Sequence, residues 1–325
     1  LKALITGGAG FIGSHLSEYL LSLGHEVAII DDLSTGRSEN VSHLRDNPRF
    51  HVVVDTVTNE GVMERLASEC AIIYHLAAAV GVQLIVRSPV HTIETNIMGT
   101  AVVLRVARHY QRKVVLTSTS EIYGKSSRVP FAEEDDRVLG PTTRSRWSYS
   151  TSKAVDEFLT LAYHRQYGLP VVIVRLFNTI GPRQSGRYGM VVPRFVAQAL
   201  AGQPLTVYGD GSQTRCFADV RDVVPGIVAL AQCPAAEGQV FNLGSNREIA
   251  IADLARLVIA ATASKSEIIY IPYEQAYEAG FEDMLRRVPD VSKAAAATGW
   301  RTTIPLEESI LSVAQHLTAA GQEQP

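Results

Sequence analysis

Residues 149–153 read YSTSK, which sets Tyr149 and Lys153 four positions apart. On a helix that spacing puts both side chains on one face. A phenol titrates near ~10 in water. A neighbouring ammonium favours its ionised form, which makes it a usable proton acceptor closer to neutral pH. A half-buried aromatic beside a solvated lysine gives the same pair, so its meaning depends on its surroundings. A second cluster lies upstream, where TSTSEIYG at 117–124 follows the apolar run VVL at 114–116. Polar residues at strand ends are common, and a catalytic reading of these two clusters needs a reactive group brought between them.

The N-terminal stretch supplies a candidate place for one. ALITGGAGFIGSHL puts Gly7, Gly8, Gly10 and Gly13 between a strand-like and a helix-like segment. Gly8, Gly10 and Gly13 satisfy the dinucleotide fingerprint, and Gly7, Gly10 and Gly13 give a wider-spaced form of it. Glycine is needed there because the backbone must turn tightly and let a pyrophosphate approach free N–H groups at a helix start. Asp31 follows 18 residues after Gly13, at the end of the next apolar run. An acid at that place accepts hydrogen bonds from the adenine ribose and repels a 2′-phosphate, so NAD is expected rather than NADP. Arg37 leaves a small opening for NADP. Asp55, after FHVVV, and the HLAAA loop from His75 stand at later strand ends, on the adenine and nicotinamide sides.

These residues need a scaffold, and the apolar pattern describes one. ALIT (3–6), EVAII (26–30), FHVVV (50–54), AIIYHL (71–76), KVVLTS (113–118) and VVIVR (171–175) read as strands. They lack polar alternation, as expected of strands buried on both faces. Segments 11–23, 88–109 and 148–167 have helical spacing. Alternation of strand and helix predicts an α/β fold, a doubly wound parallel sheet of Rossmann type. The texture changes from about 181, with a helix at 191–201, a short strand at LTVYG, then QVFNLG, IADLARLVIAA and EIIYIPY. The expected organisation is a dinucleotide-binding domain over 1–180, with later strands returning to it from 205–245. A smaller α/β substrate-binding region over 181–325 would close over the strand ends. The last residues, TAAGQEQP, are expected to fray.

The totals exclude several partners. A formal charge of −3 over 325 residues makes no electrostatic case for nucleic acid or an anionic membrane. No run of about 18 apolar residues is present, and LKALITGG begins a strand with no leader-like segment before it. Three cysteines, irregularly spaced, form neither a disulfide framework nor a zinc site, so a reducing, cytoplasmic compartment is expected. The run Glu133–Asp136 reads as a solvated loop with no metal, and His75 as a packed histidine at a strand end.

Taken in order, TGGAGFIGSHL, HLAA, TIETNIMGT, STSEIYG, YSTSK, RLFNTIGPR, PLTVYGDGSQTR and RRVPDVSKA resemble the extended short-chain dehydrogenase/reductases. Within them the chain is similar to the nucleotide-sugar epimerases, dehydratases and decarboxylases. The resemblance implies that Tyr149 takes the proton of the sugar 4-hydroxyl, while Lys153 holds the nicotinamide ribose and Thr119 bonds to the same hydroxyl. It implies NAD neighbours at Gly7, Gly10, Phe11, Ile12 and Gly13, then at Asp31, Asp32, Thr35 and Gly36. Asp55, Thr56, Leu76, Ala77, Ala78 and Thr117 complete that set. Asn178 and Arg215 would hold a diphosphate, for which an arginine fork is suited, although lone arginines are often only surface charges. Val192, Gln198 and Tyr208 would line the uridine side, or equally belong to the core. Asn96 is implied as a structural neighbour of the site.

The triplet Thr119-Ser120-Glu121 narrows the expected reaction. A 4-epimerase needs no carboxylate there, and dTDP-glucose dehydratases carry Thr-Asp-Glu, so Ser120 stands where their acid would be. Thr-Ser-Glu resembles UDP-glucuronate decarboxylases and GDP-mannose 4,6-dehydratases. The segment FAEEDDRVLGPTTRSRWSYSTSK and the stretch VVPRFVAQALAGQPLTVYGDGSQTR are similar to the decarboxylases. Arg287 matches an arginine they use at the sugar carboxylate, although in a two-arginine run it could be a solvated charge. Asp31 disfavours the NADP of the GDP-mannose enzymes. The resemblance therefore implies an NAD-dependent UDP-glucuronate decarboxylase acting through a 4-keto intermediate, giving UDP-xylose or a UDP-4-keto-pentose. A UDP-sugar 4-epimerase, a 4,6-dehydratase and a non-catalytic dinucleotide sensor are the alternatives. It also implies a homodimer through helices near 88–109 and 148–167.

Overall fold

The computed structural model describes residues 1–80, 88–186, 190–276, 284–319 and 321. Residues 322–325 of the tail expected to fray lie outside them.

Seven segments form one parallel sheet: β1 (Lys2–Thr6), β2 (Glu26–Asp31), β3 (Phe50–Val54), β4 (Ile72–His75), β5 (Lys113–Thr119), β6 (Val171–Leu176) and, after several intervening strands, Gln239–Leu243 at one edge. From that edge the order is Gln239–Leu243, β6, β5, β4, β1, β2, β3, and every neighbouring pair is parallel. The chain winds outward from β1 to β3, then crosses back to lay β4 on the other side of β1. Thr6 at the end of β1 is in register with both Ile30 of β2 and His75 of β4. Helices leave this rim in opposite directions, and a crevice opens between them.

Each face of the sheet is covered. On one side α1 (Phe11–Ser22) packs Leu16 and Leu20 against Ile5, Ile29 and Val172. On the other, α2 (Glu60–Glu69) and α3 (Pro89–Tyr110) set Met63, Leu66, Val103 and Leu104 against Leu4, Ile73, Val114 and Val171. α4 (Ser148–Tyr167) lies against α3 on that face. Fully burying such a side chain contributes roughly 1.5–3 kcal/mol, which accounts for apolar residues at both odd and even strand positions. β3 departs from this pattern. It is the outermost strand, and Val52 and Val54 are 42% and 62% exposed.

The C-terminal half contributes to two places. α5 (Val191–Leu200), β7 (Leu205–Tyr208) and α7 (Ile251–Ala261) enclose their own core of Phe195, Leu205, Val207, Leu254 and Val258. Between β7 and α7 the chain returns to the main sheet. There α6 (Val220–Gln232) joins α1 on its face, and Gln239–Leu243 pairs with β6. A cleft of about 570 Å³ lies between the rim of the sheet and the smaller lobe.

Candidate active site

The glycine loop forms one wall of the cleft. Gly7 has φ +71°, and a Cβ there would stand 2.8 Å from the Ala77 amide nitrogen. A Cβ on Gly13 would stand 2.2 Å from the Gly7 carbonyl oxygen. α1 starts at Gly10 with no side-chain cap and no acidic residue in its first turn. Its N-terminal N–H groups therefore lack a built-in anion, which fits a pyrophosphate. Asp31 braces the loop by accepting from the Ala9 and Leu33 N–H groups, each at 2.9 Å. Burial raises the Asp31 pKa, and those backbone donors oppose the shift.

Tyr149 and Lys153 stand in the first two turns of α4 and both line the cleft. Thr119 ends β5 beside them. Its hydroxyl oxygen accepts from the Glu121 N–H at 3.2 Å, leaving its proton for the Tyr149 oxygen, to which it is hydrogen-bonded. The Lys153 ammonium has a carboxylate partner of its own. The Lys153 Nζ donates to Asp156 Oδ2 at 2.8 Å, and both groups are buried. Burial first, then the negative charge of Glu121, pushes the phenol above its ordinary range, while the Thr119 hydrogen bond pulls the other way. Burial and Glu121 thus favour the protonated phenol at neutral pH. His75 bonds Thr6 at 2.7 Å and Thr100 at 3.1 Å, and burial followed by the nearby Lys153 charge lowers its pKa to about 3. It is a neutral packing residue. Asn96 joins Ala79 N to the Ser152 hydroxyl and so ties the 76–79 loop to α4.

Glu121 is bracketed by two guanidiniums. Arg287 Nη2 meets its Oε1 at 2.7 Å and Arg146 Nη1 meets its Oε2 at 2.5 Å. All three residues are buried and line the cleft. Burial alone would raise the Glu121 pKa, but Arg146 and Arg287, with Arg215 behind them, hold it at about 2. A carboxylate with a depressed pKa adds stability above its unfolded value and loses it as pH falls through the folded one. Glu121→Gln is therefore expected to cost roughly 3 kcal/mol near neutrality. That difference from wild type should shrink as pH drops from about 4.5 towards about 2. Urea denaturation of both proteins at stepped pH measures it.

The position of Arg287 is fixed by its neighbours. Arg286 makes a two-pronged ion pair with Glu248, at 2.8 and 2.7 Å. On the other side the Phe131 N–H donates to Val288 O and the Asp290 N–H to Phe131 O, each at 2.8 Å. Asn242, on the edge strand, donates to Phe131 O and Asp290 O and accepts from the Tyr123 hydroxyl. The stretch between β5 and α4 thus clasps the segment that carries Arg287. Glu133, expected in a solvated loop, takes part by accepting from the Asn242 N–H at 2.8 Å.

The cleft gathers most of the residues singled out in the sequence. Phe11, Ile12, Asp32, Thr35, Thr56, Leu76, Ala77, Ala78, Thr117 and Ser120 line it, as do Asn178, Val192, Tyr208 and Arg215. Three do not. Asp55 closes its own turn by accepting from Thr56 N and the Asn59 amide. Gly36 backs the Asp31 carboxylate, where a Cβ would stand 2.6 Å from Oδ1. Gln198 bonds Thr206 and braces α5 against β7. Among the lining residues without a role in the sequence reading are two arginines. Arg146 was visible three positions before Tyr149 in RSRWSY, and Arg194, in VVPRF, lies 4.2 Å from the centroid of the Tyr208 ring. Among the described residues no cluster of His, Cys, Asp or Glu could hold a metal.

With this geometry in place, the sequence can be compared with known proteins. The family described as GDP-mannose 4,6 dehydratase matches residues 4–313. The UDP-N-acetyl-alpha-D-glucosaminuronate decarboxylase of Bacillus cytotoxicus is 41% identical over 97% of each chain. UDP-glucuronic acid decarboxylase 1 of Danio rerio is 38% identical over 99% of this chain and 74% of its own. Among solved structures, the UDP-glucuronic acid 4-epimerase of Bacillus cereus, in complex with UDP-glucuronic acid and NAD, superposes with a TM-score of 0.88. It is 28% identical and covers 99% of this chain and 100% of its own. The chain belongs to the GDP-mannose 4,6 dehydratase family, with the fold of the extended short-chain dehydrogenase/reductases.

Proposed function

We propose that this protein decarboxylates UDP-glucuronate, with NAD as its cofactor, through oxidation at C4 of the sugar. One observation carries the reading: a buried carboxylate held between two arginines next to a tyrosine–threonine pair. Epimerisation of a neutral hexose asks only for the pair. The arginines suit a substrate that brings a carboxylate of its own. The decarboxylases among the relatives support the same choice.

When bound, NAD supplies an acceptor for the hydride of C4 and a cationic ring near the phenol. The glycine loop and the start of α1 would hold its pyrophosphate, Asp31 the adenine ribose and Lys153 the nicotinamide ribose. The Thr119 hydroxyl and the cationic ring favour Tyr149 as a phenolate, whose Oη receives the proton of the 4-hydroxyl and becomes the neutral phenol. A hexuronate with a carbonyl at C4 is a β-keto acid. When its C5–carboxylate bond breaks, CO₂ leaves and the electron pair moves onto O4. Tyr149 and Thr119 stand where they can donate to that oxygen. Glu121 and Arg287 steer the carboxylate, and Arg215 with Asn178 would take the diphosphate.

Product mass tests this. Purified protein given UDP-glucuronate and NAD should yield a nucleotide sugar lighter by CO₂, or by CO₂ and two hydrogens if the ketone is released. Unchanged mass would mean epimerisation, and loss of water a dehydratase.

A homodimer belongs to the same reading. Val90 and Met98 on α3 and Phe158 on α4 are 66%, 55% and 63% exposed, an unusual cost for two neighbouring helices. Phe158→Asp is expected to convert a dimer into a monomer in sedimentation velocity, and a wild-type monomer would refute the assignment. No helix among the described residues is long and apolar enough to cross a membrane. Free Cys70, Cys216 and Cys233 are consistent with a reducing, cytoplasmic compartment.

A further inference from the structure

We propose that Arg146 is a specificity-determining residue. With Arg287 it receives the carboxylate of the sugar, and Glu121 is the built-in anion that holds both arginines in place for it. This rests on the reading of the cleft as a site for a UDP-hexuronate.

Arg146 is placed by rigid local structure. It sits on the one-turn 3₁₀ segment Ser145–Trp147, which runs directly into α4 three residues before Tyr149. The Ser148 hydroxyl donates to Ser145 O at 2.7 Å, closing that turn. The Ser150 hydroxyl donates to Glu121 O at 2.8 Å, which ties the start of α4 to the backbone of the very residue Arg146 pairs with. Trp147 is buried beneath, with the Arg146 guanidinium 5.6 Å from its ring centroid. Arg146, Glu121 and the Tyr149 phenol therefore keep fixed relations.

The charge pattern indicates what the arrangement receives. Arg146 and Arg287 each meet a different oxygen of Glu121, and Arg215 also acts on it, so three guanidiniums surround one carboxylate. A guanidinium has five N–H donors in a planar fork, enough to keep Glu121 and hold a second carboxylate at the same time. Burying cations is costly without anions to match. A diphosphate answers Arg215. A hexose with a neutral hydroxymethyl group brings nothing for the other two, whereas a hexuronate does. Arg146 and Arg287 come from unrelated parts of the chain and meet different oxygens of Glu121. A carboxylate between them would be held in one orientation relative to Tyr149.

Binding measured without turnover separates this from a purely structural role. In full-length Tyr149→Phe protein with NAD bound, calorimetry would compare UDP-glucuronate with UDP-glucose. The parent should prefer UDP-glucuronate. Adding Arg146→Gln should weaken UDP-glucuronate by at least about tenfold and UDP-glucose by less than about threefold. Arg146→Lys, which keeps a charge against Glu121 and covers a failure of the glutamine variant to fold, should retain part of the preference. Equal losses for both ligands, or a full preference in either variant, overturn the inference alone. No preference in the parent overturns it together with the reading beneath it.

Discussion

Tyr149→Phe is expected to lower kcat by about 10²–10⁴-fold while changing affinity for NAD and UDP-glucuronate by less than about threefold. The substitution removes one oxygen and leaves the ring, so packing at the start of α4 is retained. The phenol is buried and hydrogen-bonded to Thr119, at the meeting point of β5 and α4. No other described side chain on this wall can take its place. Lys153 is committed to Asp156, and His75 is neutral and bonded on both ring nitrogens. Steady-state kinetics with separate binding measurements check the split. A kcat within tenfold of wild type would remove Tyr149 from the chemistry.

Arg287→Gln should lower kcat/KM for UDP-glucuronate by roughly 10²–10³-fold, the usual cost of truncating one partner of a buried, hydrogen-bonded charge pair. Two losses combine: the incoming carboxylate loses a cation, and Glu121 keeps only Arg146 at close range. Arg287→Lys should recover little, because an ammonium cannot reproduce a fork directed at a planar carboxylate. Arg286→Gln is the control. Its partner Glu248 is also charged, but the Arg286 side chain is 55% exposed, and a surface pair is worth about 0–1 kcal/mol. Comparable losses at 286 and 287 would mean that the segment matters only for folding.

The sheet was legible because its strands are short apolar runs that need nothing distant to explain them. The bounds of β1 to β6 fall within a residue of the sequence reading, and α4 falls on it. Only β3 misled, since an edge position depends on strand order and not on composition. The glycine loop was legible for a related reason: Gly13 is required by its contact with Gly7 inside one β-strand–helix turn and Gly7 by its positive φ, although the Ala77 contact at Gly7 was not legible. Pairings between distant segments were not. Nothing local in YSTSKAVDE says that Asp156 captures Lys153, since an i,i+3 neighbour on a helix serves equally well as a solvated charge. The bracket on Glu121 joins three remote stretches, and the role of Glu133 depends on a strand more than a hundred residues later. Asp55 and Gln198 do not line the cleft. Both stand at positions suited to a ligand, yet local bonds to Asn59 and Thr206 use them.

The central claim is that the sugar loses its carboxylate after C4 becomes a carbonyl, and one measurement addresses it directly. UDP-glucuronate carrying a carbon label only in the C6 carboxyl is incubated with the protein and NAD, and label is followed in both gas and nucleotide sugar. The account predicts that label leaves as CO₂ in step with substrate consumed, and that Tyr149→Phe abolishes the release. Label retained in full by a converted nucleotide sugar would contradict it.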